Sequence, residues 1–227
     1  TAGTFGVRCA VWPPSTAYRA FKQASTDGDW VAAAEDGARL GLPPEYPEVA
    51  AFHLFTRDAE APGGWKLFRI IRPGEVGLSA FPGGRMMLRQ GRLIYYAYHL
   101  GLIWVFRSDL GGPGAWGLEA TLRTDPVAKD GRGWLPPQLE FDGQTLVHAS
   151  VPWPYEYSRI VIHAFEAGRW QPREEHLDLE FIPNATSRYG WKRHPKIAGD
   201  TIVYFTGTNN TSPMIGRIRR DGPPGRA

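Results

Sequence analysis

The sequence predicts an all-β fold, a β-propeller with four blades, and three observations carry that expectation. One pattern opens at Gly28, Gly91, Gly143 and Gly199, which are 63, 52 and 56 residues apart: Gly, a polar residue, a large or β-branched residue, several mostly apolar positions, then a polar one. Each of these runs keeps the same company. A weaker strand-like run precedes it and a second strand follows; in three of the four a Gly-rich turn then delivers Trp65, Trp116 or Trp170 at the head of a further run. Finally, the 20 prolines and 27 glycines fall mainly between the runs, as at Pro43-Pro44, Pro82-Gly83-Gly84, Gly111-Gly112-Pro113-Gly114 and Pro136-Pro137. Proline cannot donate to a strand ladder and glycine permits the positive φ of tight turns, so these positions read as connections. Four strands per unit, repeating every fifty to sixty residues, is the signature of propeller blades.

Taken in order, Thr4–Val11 reads as a strand that belongs to no unit of its own. The first unit holds Tyr18–Ala24, the run opened by Gly28, Val49–Asp58 and the run opened by Trp65. Alanines cluster in Trp30–Leu42 and favour helix by propensity; alignment with the other units makes its first half a strand instead. The second unit holds Arg85–Gln90, the run opened by Gly91, Leu102–Asp109 and the run opened by Trp116. Gln138–Phe141, the run opened by Gly143, Arg159–Glu166 and the run opened by Trp170 make the third. In the fourth, Pro195–Ala198, the run opened by Gly199 and Met214–Asp221 leave one strand missing. Thr4–Val11 pairing with Met214–Asp221 would supply it and close the ring, removing open sheet edges. Residues 1–222 therefore read as one propeller domain and 223–227 as a disordered tail. A five-bladed ring is the alternative if Thr4–Trp30 hides part of an extra blade.

The turns before the tryptophans carry a resemblance. Ser108-Asp109-Leu110-Gly111 before Trp116, Asp58 before Gly64-Trp65, and Gly168 before Trp170 resemble degenerate Asp-boxes of sialidase-type propellers, with both Ser and Asp present only in the second unit. The resemblance covers a handful of residues per unit. In that family the box is structural, its Trp wedged between blades, so it implies a fold and no activity.

Composition bounds the function. A formal charge of +3 carries no nucleic-acid footprint, which would need Lys and Arg clustered on one face. No run approaches the roughly 18 apolar residues of a membrane span. The single cysteine, Cys9, rules out an intrachain disulfide and leaves secreted and cytoplasmic locations both open. Spacing shows no His/Cys metal pattern, no phosphate-cradling loop and no nucleophile elbow, so neither metal nor cofactor is expected.

Candidate site residues follow from which connections share a face. In a propeller the second-to-third strand turns and the blade-to-blade connections gather at one mouth. On these segments lie Glu35, Asp36, Tyr98, His99, Trp134, Trp153, Tyr155, Glu156 and Tyr157, and the stretch Arg188, Trp191, Arg193 and His194. Aromatic rings with polar tips, mixed with Arg, His and carboxylates, suit stacking on sugar rings or another planar ligand. Trp153-Pro154-Tyr155-Glu156-Tyr157 is the sharpest pointer, since aromatics beside prolines lose little entropy on binding. The plainer reading makes Trp153 a core residue between blades. His53, His148 and His163 fall inside strands and read as packed sheet histidines.

Three functions remain in view. A lectin-like propeller would bind a glycan or similar small polar ligand through Tyr98, Trp134, Trp153, Tyr155, Tyr157, Arg188, Trp191, Arg193 and His194. An enzyme with a central pocket, a glycoside hydrolase, lyase or cyclase, would use His99, Glu35 and Glu156 as acid and base, since glycoside hydrolysis needs two carboxyl groups flanking one bond. An interaction scaffold would present a broad flat patch. Glu35, Tyr98, Ser150 and Thr206 align at the mouth and differ in chemistry, which argues for one asymmetric site over four alike.

Overall fold

In the computed structural model, antiparallel pairing links strands that follow one another in the chain. The structure describes residues 21–36, 49–97, 100–124, 139–150, 159–171, 174–176, 190–208 and 214–219. They form four sheets, each a meander. Sheet 1 joins β1 (Phe21–Asp27), β2 (Trp30–Asp36), β3 (Val49–Arg57) and β4 (Trp65–Ile71). Sheet 2 joins β5 (Arg85–Arg89), β6 (Arg92–Ala97), β7 (Leu102–Arg107) and β8 (Gly117–Arg123). Sheet 3 runs from β9 (Leu139–Phe141) through β10 (Thr145–Ser150) and β11 (Arg159–Glu166). Its outer position is shared by β12 (Arg169–Trp170) and β13 (Glu174–His176), which both pair with β11. Sheet 4 joins β14 (Gly190–Ala198), β15 (Thr201–Thr208) and β16 (Met214–Arg219). No α-helix occurs among the described residues.

The repeat read from the glycines is therefore the repeat of sheets, and in each unit the glycine-opened run is the second strand. The alanine-rich stretch Trp30–Asp36 is strand β2, against its helical propensity. Ala32 and Ala34 are fully buried on the face that carries Phe52 and Leu54 of β3. Packing has overridden local preference. Thr4–Val11 and the 223–227 tail lie outside the described residues.

The chain falls into two compact units, Thr1–Phe81 and Pro82–Ala227. In the first, both faces of sheet 1 carry buried side chains: Ala32, Ala34, Phe52, Leu54 and Ile71 on one, Val31, Ala33 and His53 on the other. Phe81 hydrogen-bonds Val49 through both backbone groups and packs its ring on Phe52 at 4.4 Å.

In the second unit sheets 2, 3 and 4 pack face to face in chain order. Ile94, Tyr96, Ile103, Val105 and Leu122 of sheet 2 form one core with Leu139, Phe141 and Leu146 of sheet 3. The alternate residues of sheet 3, Val147, Ile160 and Ile162, form a second core with Ile202, Tyr204 and Ile218 of sheet 4. Side chains of a strand alternate between faces, so sheet 3 is buried on both. Near-continuous apolar runs such as Leu146–Val147 and Ile160–Val161–Ile162 are what such a sheet requires. The first strands of neighbouring sheets are tied across the seams, β5 to β9 by Gln90 Nε2 donating to the Asp142 carbonyl at 2.7 Å and β9 to β14 by Lys196 on Glu140 at 2.6 Å.

The tryptophan-bearing turns are structural where they are described. Trp116 is fully buried, with φ of 51° and its N–H on the Ser108 carbonyl at 3.4 Å. The next residue has to be Gly117, because a Cβ there would stand 2.7 Å from the Leu110 carbonyl oxygen. Trp170 packs against Phe141 and Phe165 and donates its Nε1–H to Glu119 of sheet 2 at 3.4 Å, bridging two sheets as a wedge would.

Candidate functional site

A four-strand antiparallel meander sends its second-to-third turn and its incoming and outgoing connections to the same end. For sheet 1 that end is where β2 finishes and β3 begins, and there the structure places an ionisable pair. Ala33 and His53 are cross-strand partners, so Glu35, two residues along β2, shares the face of His53. The ladder shifts register between Ala34 and Asp36, where two residues of β3, Ala50 and Ala51, stand against Glu35 alone. Nε2 of His53 donates to Oε2 of Glu35 at 2.7 Å. Phe21, the partner of Glu35 on β1, sets its ring edge-on to the imidazole at 5.3 Å, and Phe55 stacks on it at 6.5 Å.

Exposure separates the two roles. The His53 side chain has none, whereas 17% of the Glu35 side chain reaches solvent. The imidazole sits behind the carboxylate as a fixed donor, and the carboxylate is the group a ligand could meet. The pair joins a ring nitrogen to a carboxylate, an arrangement that can hold or move a proton. Sequence reasoning assigned His53 to the packed sheet histidines and Glu35 to a loop. The burial of His53 is as expected. The pairing was legible only once the strand register was known.

In the second unit, His148 and His163 stack at 5.6 Å with 15° between their planes, and Tyr96 lies 4.8 Å from His148. All three are buried in the seam between sheets 2 and 3. They are packed sheet residues, as their in-strand positions predicted. Farther along the seam, at the end that carries the first-to-second turns, Glu119 receives Arg92 at 2.8 Å and Arg107 at 2.8 Å, besides the Trp170 indole. Arg92 also lies over the Phe165 ring at 4.5 Å. Asp109, then Glu119, raise the Arg107 pKa against the opposing effect of burial. This knot of charge is satisfied internally and fastens sheets.

The remaining candidates distribute as follows. Tyr98, His99, Trp134, Trp153, Tyr155, Glu156, Tyr157 and Arg188 lie outside the described residues, so the pairing of Glu35 with Glu156 or His99 is not displayed. Trp191, Arg193 and His194 correct the expectation of a loop. They belong to β14, with Trp191 opposite Gly207 and Arg193 opposite Phe205. The cause is the length of β15, which continues to Thr208 and draws the preceding chain into a longer hairpin than Pro195–Ala198 alone. Pro195 is accommodated on this edge strand with a register shift between Arg193 and Lys196.

Register also corrects the alignment at the ends of the second strands. The second-to-third strand hairpins start at Trp30↔Thr56, Arg92↔Arg107, Thr145↔Ala164 and Thr201↔Arg219. Counting from those pairs, the equivalents of Glu35 are Ala97, Ser150 and Thr206; Tyr98 is one place off. Among these four positions the carboxylate belongs to sheet 1 alone.

Among the described residues no three His, Cys, Asp or Glu side chains gather closely enough to hold a metal ion. No helix among them is long and apolar enough to cross a membrane. Neither the known family models nor the curated proteins give a match to this chain.

Proposed function

We propose that the four sheets are the blades of a four-bladed β-propeller that binds a carbohydrate or similar small polar ligand at one mouth. The observation that carries this reading is the shared strand order. Each sheet directs its second-to-third turn and its blade-to-blade connections to one end, and these are the segments in which Trp134, Trp153, Tyr155, Tyr157 and Arg188 occur. The face-to-face stacking of sheets 2, 3 and 4, each pair sharing a core, supports blades. Sheet 4 supports the closure. It has three strands among the described residues, one fewer than sheets 1 and 2, and residues 4–11 would supply the fourth.

A glycan array probed with the whole chain and with Trp153→Ala tests the binding reading. Retention of a defined glycan by the wild type and its loss in the variant, with the melting temperature unchanged, is the expected result. A variant that melts several degrees lower makes Trp153 a core residue and removes the site as drawn.

One observation favours a second reading. The Glu35–His53 pair is a carboxylate with a built-in orienting donor, the arrangement a glycoside hydrolase, lyase or cyclase would use for proton transfer. If a bound glycan is cleaved, Glu35→Gln abolishes turnover and keeps binding; cleavage that survives this change excludes Glu35 as the base.

A further inference from the structure

Four arginines of the described residues are half-buried: Arg69, Arg85, Arg92 and Arg107. Three have carboxylate partners, Glu75 for Arg69, Glu119 for Arg92, and Glu119 with Asp109 for Arg107. Arg85 has none among the described residues, and its Nε is buried without a hydrogen-bond acceptor. Withdrawing a guanidinium donor from water without an acceptor is costly, and natural sites offset that cost with a counter-ion or a ligand.

The chain around Arg85 is built to hold it in place. It opens β5, the inner strand of sheet 2, directly opposite Tyr96, so both side chains project from the face that meets sheet 3. Just before it, Tyr95 donates its hydroxyl to the Pro82 carbonyl at 2.6 Å. Gly84 lies so close to β6 that a Cβ would stand 2.3 Å from the Tyr96 carbonyl oxygen. Tyr96 is in turn backed by His148 at 4.8 Å.

A second polar atom repeats the pattern at the same end of the same face. Thr124 follows β8, its N–H bonding the Gly101 carbonyl at 2.8 Å, which extends the ladder and keeps it on the side of Leu122. Its side chain is buried at 7% exposure, and Oγ1 has no hydrogen-bond partner. Arg85 and Thr124 stand on the first and fourth strands of one sheet, three strand spacings across and two residues along, roughly 16 Å apart. That span exceeds one sugar ring.

We propose that the ligand is an acidic saccharide of at least two rings, whose oxyanion is received by Arg85 and one of whose hydroxyls is received by Thr124. The proposal rests on the binding reading above and narrows it to a class of ligand. A planar guanidinium fork matches a carboxylate best, and a sulfate ester carries the same oxyanion chemistry. Gly84 and the Tyr95–Pro82 bond position Arg85, while Tyr96 and His148 form the wall behind it.

Calorimetry on the whole chain with three disaccharides of one ring skeleton, neutral, uronic-acid-bearing and sulfated, tests it. One charge-assisted hydrogen bond is worth at least about tenfold in affinity. An acidic form is therefore expected to bind at least about tenfold tighter than the neutral one, and which acidic form does so identifies the oxyanion. Arg85→Gln should erase that preference and leave neutral binding in place, and Arg85→Lys should restore part of it. Thr124→Val should weaken the acidic disaccharide and leave the acidic monosaccharide unaffected. Equal affinity for neutral and acidic forms, or a preference that survives Arg85→Gln, overturns the proposal and leaves the lectin-like reading standing. Failure of all three to bind overturns both. Should Arg85→Gln melt well below the wild type, Arg85 is a structural residue, and retention of the acidic preference by Arg85→Lys at full strength would equally dismiss the fork.

Discussion

Sheets 1 and 2 share a backbone irregularity and fill it with opposite chemistry. In sheet 1 the outer strand carries one extra residue, Phe68, between the pairs Leu54↔Arg69 and Phe55↔Leu67. In sheet 2 the extra residue is Glu119, between Val105↔Ala120 and Phe106↔Leu118. With the hairpins aligned, Phe68 and Glu119 are the same position, and so are Trp30 and Arg92. Each bulged residue meets its counterpart on the second strand. Phe68 meets Trp30 edge-to-face at 5.1 Å, and Glu119 meets Arg92 at 2.8 Å. A bulge re-aims a side chain, and here it aims toward the same neighbour whatever the chemistry. The geometry belongs to the repeat; the interaction belongs to the residues placed in it.

Burial makes the two pairs unequal. The Glu119 side chain is 8% exposed and holds Arg92, Arg107 and the Trp170 indole together, whereas Phe68 is 46% exposed. Removing one partner of a buried ionic cluster strands the others, which costs far more than the net worth of the cluster. Glu119→Ala is therefore the largest effect, a loss of about 3–5 kcal/mol in denaturant unfolding. A loss under 1 kcal/mol would mean that the cluster is solvated and fastens nothing. Trp170→Ala comes next at about 3 kcal/mol, from lost packing on Phe141 and Phe165 and a lost donor to Glu119. The two changes share an interaction, so the double variant should fall short of their sum. Strict additivity would show that Trp170 packs independently of the charge.

How much of this was legible beforehand follows the same division. The repeat, the strand order and the structural tryptophans were readable because glycine turns and alternating apolar runs are local features of the chain. Strand β2 was readable only by alignment with the other units, since the alanines of Trp30–Asp36 favour helix in isolation. Pairings across strands were not readable. The Glu35–His53 bond joins residues 18 apart, and it depends on the register that sets Ala33 opposite His53, which nothing in the local sequence announces. The assignment of Trp191, Arg193 and His194 to a connection failed because the strand reads as opening at Pro195, whereas on this edge strand the ladder continues past the proline with one register shift. Arg85 heads the run Arg85–Gln90, and nothing in the local sequence sets it apart. A guanidinium without a carboxylate becomes visible only when its neighbours in space are known.

A double-mutant cycle on each bulge pair sharpens the comparison at its centre. Arg92→Ala with Glu119→Ala should return a coupling of about 2 kcal/mol, since each single change leaves a buried charge that the double change removes. Trp30→Ala with Phe68→Ala should return no more than about 1 kcal/mol, the range of an aromatic pair beyond its area burial. If the aromatic coupling equals the ionic one, the 46% exposure of Phe68 misstates its surroundings in solution, and the outer strand of sheet 1 is covered there.

Phe68→Ala alone is the smallest effect and the most informative about the repeat. Half-exposed apolar residues contribute little, so the variant should lose less than about 1 kcal/mol. Replacing Phe68 by the residue of sheet 2, Phe68→Glu, and Trp30 by its equivalent, Trp30→Arg, asks whether the bulge dictates the pairing. Sheet 1 has Thr56 where sheet 2 has the second arginine, Arg107, so the transplanted pair gains one ionic contact and no third partner. An exposed pair of this kind is worth about 0–1 kcal/mol, and the double variant should be close to the wild type and lose stability as salt is added. A double variant that loses several kcal/mol would show that the edge of sheet 1 needs its aromatic residues for packing, and that the bulges of the two sheets are alike in backbone alone.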